Sequence, residues 1–296
     1  MNTLPTFLYN QLLSQYGEEI TNKIIDGYTQ NRYTTIRINT LKTSVSKVKE
    51  TLLNLGYEID EVPWYEKALI IKNKCENDIK KLDIYEDGQI YLQSLSSMLP
   101  VMILNPKDGE SILDMAAAPG SKTTQIGIET NDKALITACE KDKIRFERLK
   151  YNVQKQGINR ITFLNEDASG LDDFYSFDKI LLDTPCTGSG TINLNGPVRF
   201  TEEYLKKLVS IQEKLLKKAI KLLKPNSEMI YSTCSILKEE NENNLMKILN
   251  ENIEIVPIDE NLFQKVPLLP TSIKGTISVM PNTVYEGFFI AKLRKK

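Results

Sequence analysis

The chain has 296 residues, with 38 Lys and Arg, 39 Asp and Glu, and no histidine. That length accommodates one large domain with a smaller one, and 41% apolar with 26% charged residues is ordinary for a soluble globular protein. The lack of histidine excludes a Ser-His-Asp triad and most catalytic zinc sites, so any chemistry must use thiols, carboxylates, Lys, Tyr or a cofactor.

Nothing in the sequence predicts a membrane or secreted protein. No run of about 18 apolar residues occurs, and Met1 to Leu13 lacks a basic segment with a cleavage site. The four cysteines have no framework spacing, which favours reduced thiols and a cytoplasmic location. A net charge of −1 is not that of a nonspecific nucleic-acid binder, so a nucleic-acid site would need local clusters of basic residues.

The first third of the chain predicts a small α+β module. Apolar spacing indicates a lead-in helix over residues 1–28, and alternation over 34–40 indicates a half-buried strand. A helix over 45–55 and a strand over 68–71 follow. We expect residues 1–95 to form this module and a connecting helix to occupy residues 91–104, before Asn105-Pro106.

The remaining residues, 96–296, alternate short apolar runs with helical stretches. The clearest helix runs from 201 to 224, because Thr201 is a good N-cap and Pro225 follows its end. The alternation predicts an α/β domain with a mostly parallel, doubly wound sheet. The apolar runs lie at 111–115, 134–139, 160–164, 177–182, 228–232 and 287–293.

The loop after the first strand of this domain predicts a cofactor site. Ligands of such sheets bind at the carboxyl ends of strands, and small residues let a ligand approach the backbone. A dinucleotide fingerprint and a P-loop both need more glycine than this loop has, which leaves S-adenosylmethionine as the third reading. The expected loop residues are Ala116, Ala117, Ala118, Pro119, Gly120, Ser121 and Lys122.

Acids end the next three predicted strands. Glu140 lies where an acid can hold ribose hydroxyls, and Asp167 and Asp183 follow at the next two strand ends. Each alone could be a helix cap or a solvated loop residue. Their succession behind a small-residue loop favours a cofactor role.

Two cysteines follow predicted strands at the same edge of the sheet. Cys186 lies in a pliable loop, and Cys234 precedes a helix expected near Leu237, whose N-terminus would favour the thiolate. Cys75 and Cys139 fit the ordinary interpretation of small buried hydrophobes better.

Three ordered motifs, Asp114 to Ile126, Asp183 to Gly190 and Tyr231 to Ile236, resemble the signatures of RNA cytosine-5 methyltransferases. That family includes the bacterial ribosomal RNA methyltransferases B and F and the eukaryotic Nop/Sun proteins. Many relatives have Cys at the position of Ala116 and Gly at that of Ser121, although this pair also occurs in the F type. The larger C-terminal extension of the F type is missing, which leaves its particular rRNA target in doubt.

The resemblance implies a Rossmann-like class I methyltransferase behind an RRM-like RNA-binding module, with S-adenosylmethionine as cofactor. It implies that Cys234 is the nucleophile and that Cys186 assists product release. By position it implies that Glu140 binds the ribose, that Asp167 lies on the adenine side, and that Asp183 lies between cofactor and base. Attack of a thiolate on carbon 6 activates carbon 5 of cytosine, which is otherwise too weak a nucleophile.

The expected substrate is a cytosine in a loop or single strand of rRNA or tRNA, because the base must leave its stack. Candidate RNA contacts are Arg37 and Lys42 in the small module and Arg199 beyond the Cys186 loop; the lysine-rich helix at 201–224 fits a solvated face slightly better. Neither a metal nor a membrane partner is expected. The alternatives are a methyltransferase of DNA or a small molecule, and a non-catalytic RNA-binding or ribosome assembly factor that retains the fold. A redox role of Cys186 and Cys234 is a third alternative, disfavoured because neither lies in a Cys-x-x-Cys motif.

Overall fold

The computed structural model describes residues 3–198, 200–250 and 252–296, without the side chain of Leu262. Two sheets organise the chain, one of four strands and one of nine. Within the described residues no helix is both long and apolar enough to cross a membrane.

The small sheet is antiparallel, and its strand order is β2-β3-β1-β4. Its central strand β1 was expected to be half-buried but is buried at all five positions, because both of its faces are covered. The short strand β4 falls within the segment expected to begin the connecting helix. The elements are β1 (Thr34–Ile38), α2 (Val45–Asn54), β2 (Ile59–Glu61), β3 (Ala68–Ile71), α3 (Glu76–Ile79), α4 (Asp83–Glu86) and β4 (Ile90–Leu92), after a lead-in helix α1 (Thr6–Thr29).

The large sheet has five parallel strands, as the alternation predicts, followed by an antiparallel extension. Its order is β11-β12-β13-β9-β8-β5-β6-β7, and β10 pairs with β13. The elements are α5 (Leu95–Leu104), β5 (Ser111–Asp114), α6 (Ser121–Glu129), β6 (Leu135–Cys139), α7 (Lys143–Gln156), β7 (Ile161–Leu164), β8 (Phe177–Asp183), α8 (Glu202–Leu222), β9 (Leu223–Thr233), α9 (Glu242–Met246), β10 (Ile253–Ile255), β11 (Leu268–Leu269), β12 (Ile277–Val279) and β13 (Phe288–Lys295).

Helix α1 packs differently from the expected assignment of residues 1–95 to one module. Its buried side chains, Leu8, Leu12, Ile24 and Tyr28, join a core cluster with residues of the large domain. The small sheet has a separate core of its own, built on β1 and β3 with α2. The lead-in helix α1 therefore packs against the large domain.

The strand order reverses between β5 and β8. From β5 the chain proceeds to β6 and β7 on one side, and β8 and β9 lie on the other. Loops that leave neighbouring strands in opposite directions open a crevice at this point. The loops after β5, β8 and β9 all emerge at this edge.

Candidate active site

The two cysteine loops meet at the ends of β8 and β9. These strands are parallel, with Asp183 opposite Ser232, so Cys186 and Cys234 leave the sheet side by side. Their sulfur atoms are 2.7 Å apart, and both thiols are free and half-buried. The structure thus brings together two residues separated by 48 positions.

Backbone contacts lock the two loops together. The Gly190 amide donates to the Cys234 carbonyl at 2.9 Å, and the Gly287 amide donates to the Gly190 carbonyl at 2.8 Å. A Cβ atom at Gly190 would lie 2.1 Å from the Gly287 carbonyl oxygen, so only glycine fits there. The relative position of the two sulfurs is therefore fixed by backbone rather than by side chains alone.

The two thiols share one hydrogen bond, in which either sulfur can be the donor. The hydrogen bond to Cys234 and then burial raise the pKa of the Cys186 thiol well above its usual value, and the nearby Glu240 carboxylate acts in the same direction. Cys186 is therefore held in its protonated form. By contrast, burial raises the pKa of Cys139 to about 12, in agreement with its interpretation as a buried hydrophobe. The same prediction for Cys75 is wrong, because its side chain is exposed at the N-cap of the short helix α3.

Glu240 is a site residue that the sequence analysis missed. Its buried carboxylate accepts bonds from the Thr187 amide at 2.9 Å, the Thr187 hydroxyl at 2.5 Å and Gln212 Nε2 at 2.9 Å. It therefore anchors the residue that follows Cys186. Glu240 lies in a segment rich in Asn, Glu and Lys, where no local signal separates it from its neighbours.

The helix expected after Cys234 begins later than predicted. Residues 238–241 form a turn, and the five-residue helix α9 starts only at Glu242. The N-terminus of a helix therefore does not lie where the sequence predicted it, near Leu237. The side-chain contact of the Cys234 sulfur is with Cys186.

Lys122 and Asp183 form an ion pair beside the thiols. Lys122 Nζ lies 2.7 Å from Asp183 Oδ2 and also donates to the Ser97 hydroxyl at 2.7 Å, while the Ser232 hydroxyl donates to Asp183 Oδ1 at 2.7 Å. Only 7% of the Lys122 surface is exposed. Lys122 was expected in the cofactor loop, but its charge is directed to the acid at the end of β8.

A cavity of ≈ 660 Å³ opens in front of this ion pair. Cys234 and Phe288 line it on the catalytic side, and Arg32, Tyr33 and Tyr91 line it on the other. This volume is within the range of small-molecule sites and leaves room for a nucleoside that has left its stack. Cys186 is not among the described residues that line the cavity.

The predicted cofactor loop separates this cavity from a second, narrower one. Pro119, Ser121 and Lys122 face the first, whereas Ala116 lines the second. Ala117 and Ala118 are buried, and Gly120 adopts a φ of 104° as the N-cap of α6, which requires glycine. The other residues that line the second cavity are Met115, Glu140, Lys141, Arg145, Glu166, Asp167, Ala168, Pro185 and Leu215.

The second cavity has the donor chemistry of a nucleoside site. Glu140, which is 4% exposed, accepts from the Asp142 amide at 2.9 Å and lies 3.4 Å from Arg145 Nη1. Asp167 caps the turn at Ser169 and pairs with Lys141 at 3.3 Å. Carboxylates suit ribose hydroxyls and apolar residues suit a planar base, so the chemistry of this lining fits an adenosyl group, and the cavity itself has a volume of only ≈ 40 Å³.

Asp114 is a second residue to which the sequence analysis assigned no role in the site. It is fully buried at the end of β5, and its Oδ2 accepts from the Thr123 hydroxyl at 2.7 Å. Burial raises its pKa to about 6. This carboxyl ties the strand to the first turn of α6 and so fixes the loop between them.

One predicted RNA contact is wrong. Arg37 has no exposed surface, and its guanidinium donates to Gln93 Oε1 at 2.6 Å, to the Ser121 carbonyl at 2.5 Å and to Thr124 Oγ1 at 2.8 Å. The alternation in β1 suggested an exposed side chain, but α6 covers that face of the strand. Arg37 therefore joins the small sheet to the first turn of α6.

The other two RNA candidates stay predictions. Lys42 is exposed, although its Nζ already donates to the carbonyls of Asp87 and Lys155. Arg199 lies outside the described residues. Most lysines of α8 form ion pairs with acids, which favours a solvated face. The pairs are Lys206–Glu202, Lys217–Glu213, Lys218–Asp173 and Lys221–Asp173, and Lys224, at the start of β9, pairs with Asp178. Over the described ranges no group of three or more Cys, Asp or Glu side chains could hold a metal ion.

Two family models match the sequence. One, described as 16S rRNA methyltransferase RsmB/F, matches residues 101–294, and the other, a ferredoxin-like domain of RsmF/B-like methyltransferases, matches residues 4–78. Ribosomal RNA small subunit methyltransferase F of Aeromonas salmonicida is 34% identical to this chain, and that of Aliivibrio salmonicida is 35% identical. Each match covers 88% of this chain but 57% of the relative, so the chain spans little more than half of their length.

Two solved structures share the fold over nearly the whole chain. A methyltransferase homolog protein from Pyrococcus horikoshii is 30% identical, with a TM-score of 0.83 over 99% of this chain and 100% of that one. The crystal structure of NSun6 from Pyrococcus horikoshii with SFG has a TM-score of 0.88 at 24% identity, over 98% of both chains.

Proposed function

The chain belongs to the RsmB/F family of 16S rRNA methyltransferases, and on that basis we propose that it makes 5-methylcytosine in RNA, with Cys234 as the nucleophile. The observation that carries this proposal is the thiol pair. Cys234 lines a cavity large enough for a nucleoside, and Cys186 lies against it at 2.7 Å. Methylation at carbon 5 of a pyrimidine uses two thiols, one as the nucleophile and one for the proton, beside a small-residue loop at the ends of strands.

S-adenosylmethionine is the cofactor, as expected for this methyltransferase family. The residues that fit it line the second cavity, where Glu140 would hold the ribose, Asp167 would lie on the adenine side and Ala116 lets the ligand approach the backbone. The rest of the loop, residues 117–122, would carry the methionine part toward the larger cavity. When bound, the cofactor supplies a methyl group for carbon 5.

The reaction begins at Cys234. Its thiolate forms a bond to carbon 6 of cytosine, and the negative charge passes into the ring, which makes carbon 5 nucleophilic. Asp183 would form a hydrogen bond with the ring nitrogen or the amino group of the base. The ammonium of Lys122, 2.7 Å from Asp183, lines the same cavity and would stabilise the negative charge that develops on the ring.

Cys186 then handles the proton. The contact with Cys234 is the largest cause of its raised pKa, and adduct formation consumes that partner. Adduct formation removes the largest of these causes, while burial and Glu240 still act, and in the proposed sequence the Cys186 proton then passes to water. The resulting thiolate accepts the proton from carbon 5, directly or through a water, while the bond between carbon 6 and Cys234 breaks. One proton is released per turnover, and both cysteines return to their starting state.

RNA enters through the cavity between the two sheets. The target base must leave its stack, so a loop or single-stranded cytosine is the expected substrate, in rRNA by family and in tRNA as the second candidate. Arg32 lines the cavity without an acidic partner among the described residues, which suits an RNA phosphate. We place this activity in the cytoplasm.

The test is trapping of the covalent complex. The protein is incubated with S-adenosylmethionine and a 16S rRNA transcript and then run on a denaturing gel. We expect Cys186→Ala to accumulate RNA-linked protein, because the proton at carbon 5 is no longer removed efficiently. Cys234→Ala should form none, and Cys75→Ala, which removes an exposed thiol of the small module, should behave as the wild type.

Three outcomes would reject parts of this proposal. Adduct in Cys234→Ala but not in Cys186→Ala would reverse the roles of the two thiols, as expected for a DNA-type cytosine methyltransferase. Absence of both adduct and methyl transfer with bound S-adenosylmethionine would favour another substrate. RNA binding without S-adenosylmethionine binding would favour the assembly factor.

A further inference from the structure

Helix α1 contacts both cysteine loops, the segments that follow Cys186 and Cys234. It bends at Gly17, whose φ of 75° interrupts the helical backbone. A Cβ atom at Gly27 would lie 2.1 Å from the Pro281 carbonyl oxygen, so the second half of the helix is seated closely on the large domain. Its apolar side chains pack with Ile236 and Leu237 from the Cys234 loop and with Leu194 beyond the Cys186 loop.

The first half of α1 holds the Cys234 loop. The hydroxyl of Tyr16 donates to the Ile236 carbonyl at 2.6 Å, and Gln15 Nε2 donates to the same carbonyl at 2.9 Å. Gln15 Oε1 in turn accepts from the Lys238 amide at 3.0 Å. These three bonds fix the backbone two to four residues after Cys234.

The second half of α1 holds the Cys186 loop. The hydroxyl of Tyr28, a fully buried side chain, donates to the Ser189 carbonyl at 2.5 Å. The Leu194 amide donates to the Tyr28 carbonyl at 2.9 Å, and just beyond the end of the helix Arg32 Nη2 donates to the Ile192 carbonyl at 3.1 Å. The same helix thus anchors the loop three residues after Cys186.

The two tyrosines act as neutral donors. Burial raises the pKa of both hydroxyls well above their ordinary value, so neither ionises in the working range. The Ser189 carbonyl loses its Tyr28 donor in Tyr28→Phe, whereas the Ile236 carbonyl keeps Gln15 Nε2 in Tyr16→Phe. The two tyrosines thus tie both cysteine loops to one helix.

We propose that α1 is a positioning element of the active site, in which Tyr16 and Tyr28 hold the Cys234 and Cys186 loops at the sulfur separation that attack and proton return need. This inference rests on the proposed function, since it assigns α1 a role in that reaction. Helix α1 acts through the cysteine loops and does not contact substrate in this proposal. The cofactor loop makes none of the contacts described for α1, so cofactor binding should not depend on it.

The experiment compares three tyrosine-to-phenylalanine variants. Tyr16→Phe and Tyr28→Phe remove one anchor each without creating a large cavity. Tyr65→Phe is the matched control, because it removes one hydroxyl bond of 2.6 Å to Glu129 at the far end of α6. We expect kcat for a 16S rRNA transcript to fall about tenfold to a hundredfold in the anchor variants, the scale of a misplaced reacting group. KM for S-adenosylmethionine should stay within about twofold, and the control should keep both values.

A second readout measures the thiol geometry without methylation. In a glutathione buffer the two thiols can form a bond between their sulfurs, losing two hydrogens to glutathione disulfide, which becomes two glutathione molecules. The equilibrium between the dithiol and this disulfide, read by mass, reports how closely the sulfurs meet. We expect the anchor variants to need a more oxidising buffer than the wild type and the control. Gln15→Ala, at a half-buried side chain, gives a milder version of the same test if a tyrosine variant fails to fold.

The inference is overturned if the anchor variants match Tyr65→Phe in both kcat and thiol equilibrium, which would leave α1 a merely structural role. It is also overturned if KM for S-adenosylmethionine rises while kcat holds. Failure of the wild type to form adduct would instead strike the proposed function. In that case the thiol equilibrium alone still decides whether α1 sets the sulfur geometry.

Discussion

The buried carboxyl of Asp114 makes stability depend on pH in a direction that can be measured. In the folded protein burial raises its pKa from the reference value of 3.8 to about 6. A raised carboxyl pKa means that the folded state favours the protonated form. The contribution of protonated Asp114 to the free energy of unfolding is thus fully present below about pH 4, and it is lost as the pH rises through about 6.

The size of the effect follows from the shift. A change of roughly two pKa units, at about 1.4 kcal/mol per unit, amounts to roughly 3 kcal/mol of lost stability at neutral pH. Asp114→Asn removes the ionisation and keeps an oxygen for the Thr123 hydroxyl. We expect the variant to gain up to about 3 kcal/mol over the wild type at pH 7.5 and to lose that advantage at pH 4.

Urea unfolding, followed by the fluorescence of the single tryptophan, Trp64, measures this difference. Both proteins are unfolded at intervals from pH 4 to pH 7.5. Asp178 and Glu213, whose pKa values are lowered to about 2 by ion pairs and hydrogen bonds, affect both proteins equally and cancel in the difference. A difference that stays constant across the series would refute the reasoning, because it would show that Asp114 does not titrate between these limits.

Two further substitutions test other parts of the structure. Arg37→Met should lower stability by about 3 kcal/mol in urea unfolding, because buried acceptors lose a charged donor; equal stability would show that these bonds contribute nothing. It should leave the salt dependence of RNA binding unchanged, because Arg37 has no exposed surface. Gly190→Ala should abolish adduct on a denaturing gel, since its Cβ would lie 2.1 Å from the Gly287 carbonyl oxygen. Gly196→Ala should retain the adduct, because the atom nearest to its added Cβ would be the Asn193 carbonyl oxygen at 3.8 Å.

The elements that could be predicted are those whose signal is local. The five parallel strands were expected because buried parallel strands form short apolar runs, and Thr201 marked the start of α8. The exceptions depend on tertiary pairing. Strand β9 begins at Leu223 and runs through Pro225 and Asn226, two residues that disfavour strands in a sequence. Strand β4 has three residues and exists because it pairs with β1.

The site was less predictable where charge and burial determine the position of a side chain. Loop position at strand ends was enough to bring Cys186, Cys234 and Asp183 to one edge of the sheet. It could not show that Lys122 turns to Asp183 at 2.7 Å, because two residues separated by 61 positions carry no mutual signal in one sequence. Arg37 was misplaced for the opposite reason: the local alternation predicted exposure, and α6 covers the strand.

A protein without histidine must still move a proton at neutral pH, and the thiol pair offers a way to do so. A single thiol cannot be both nucleophile and proton acceptor, because the first role favours a low pKa and the second a high one. The contact with Cys234 is the largest cause of the raised pKa of Cys186, and burial adds to it. In the reaction proposed above, bond formation at Cys234 would remove that contact and free Cys186 to act as a base, and bond cleavage would restore it. The order of the two roles follows from their proximity, which is why a helix that holds both loops would matter to catalysis.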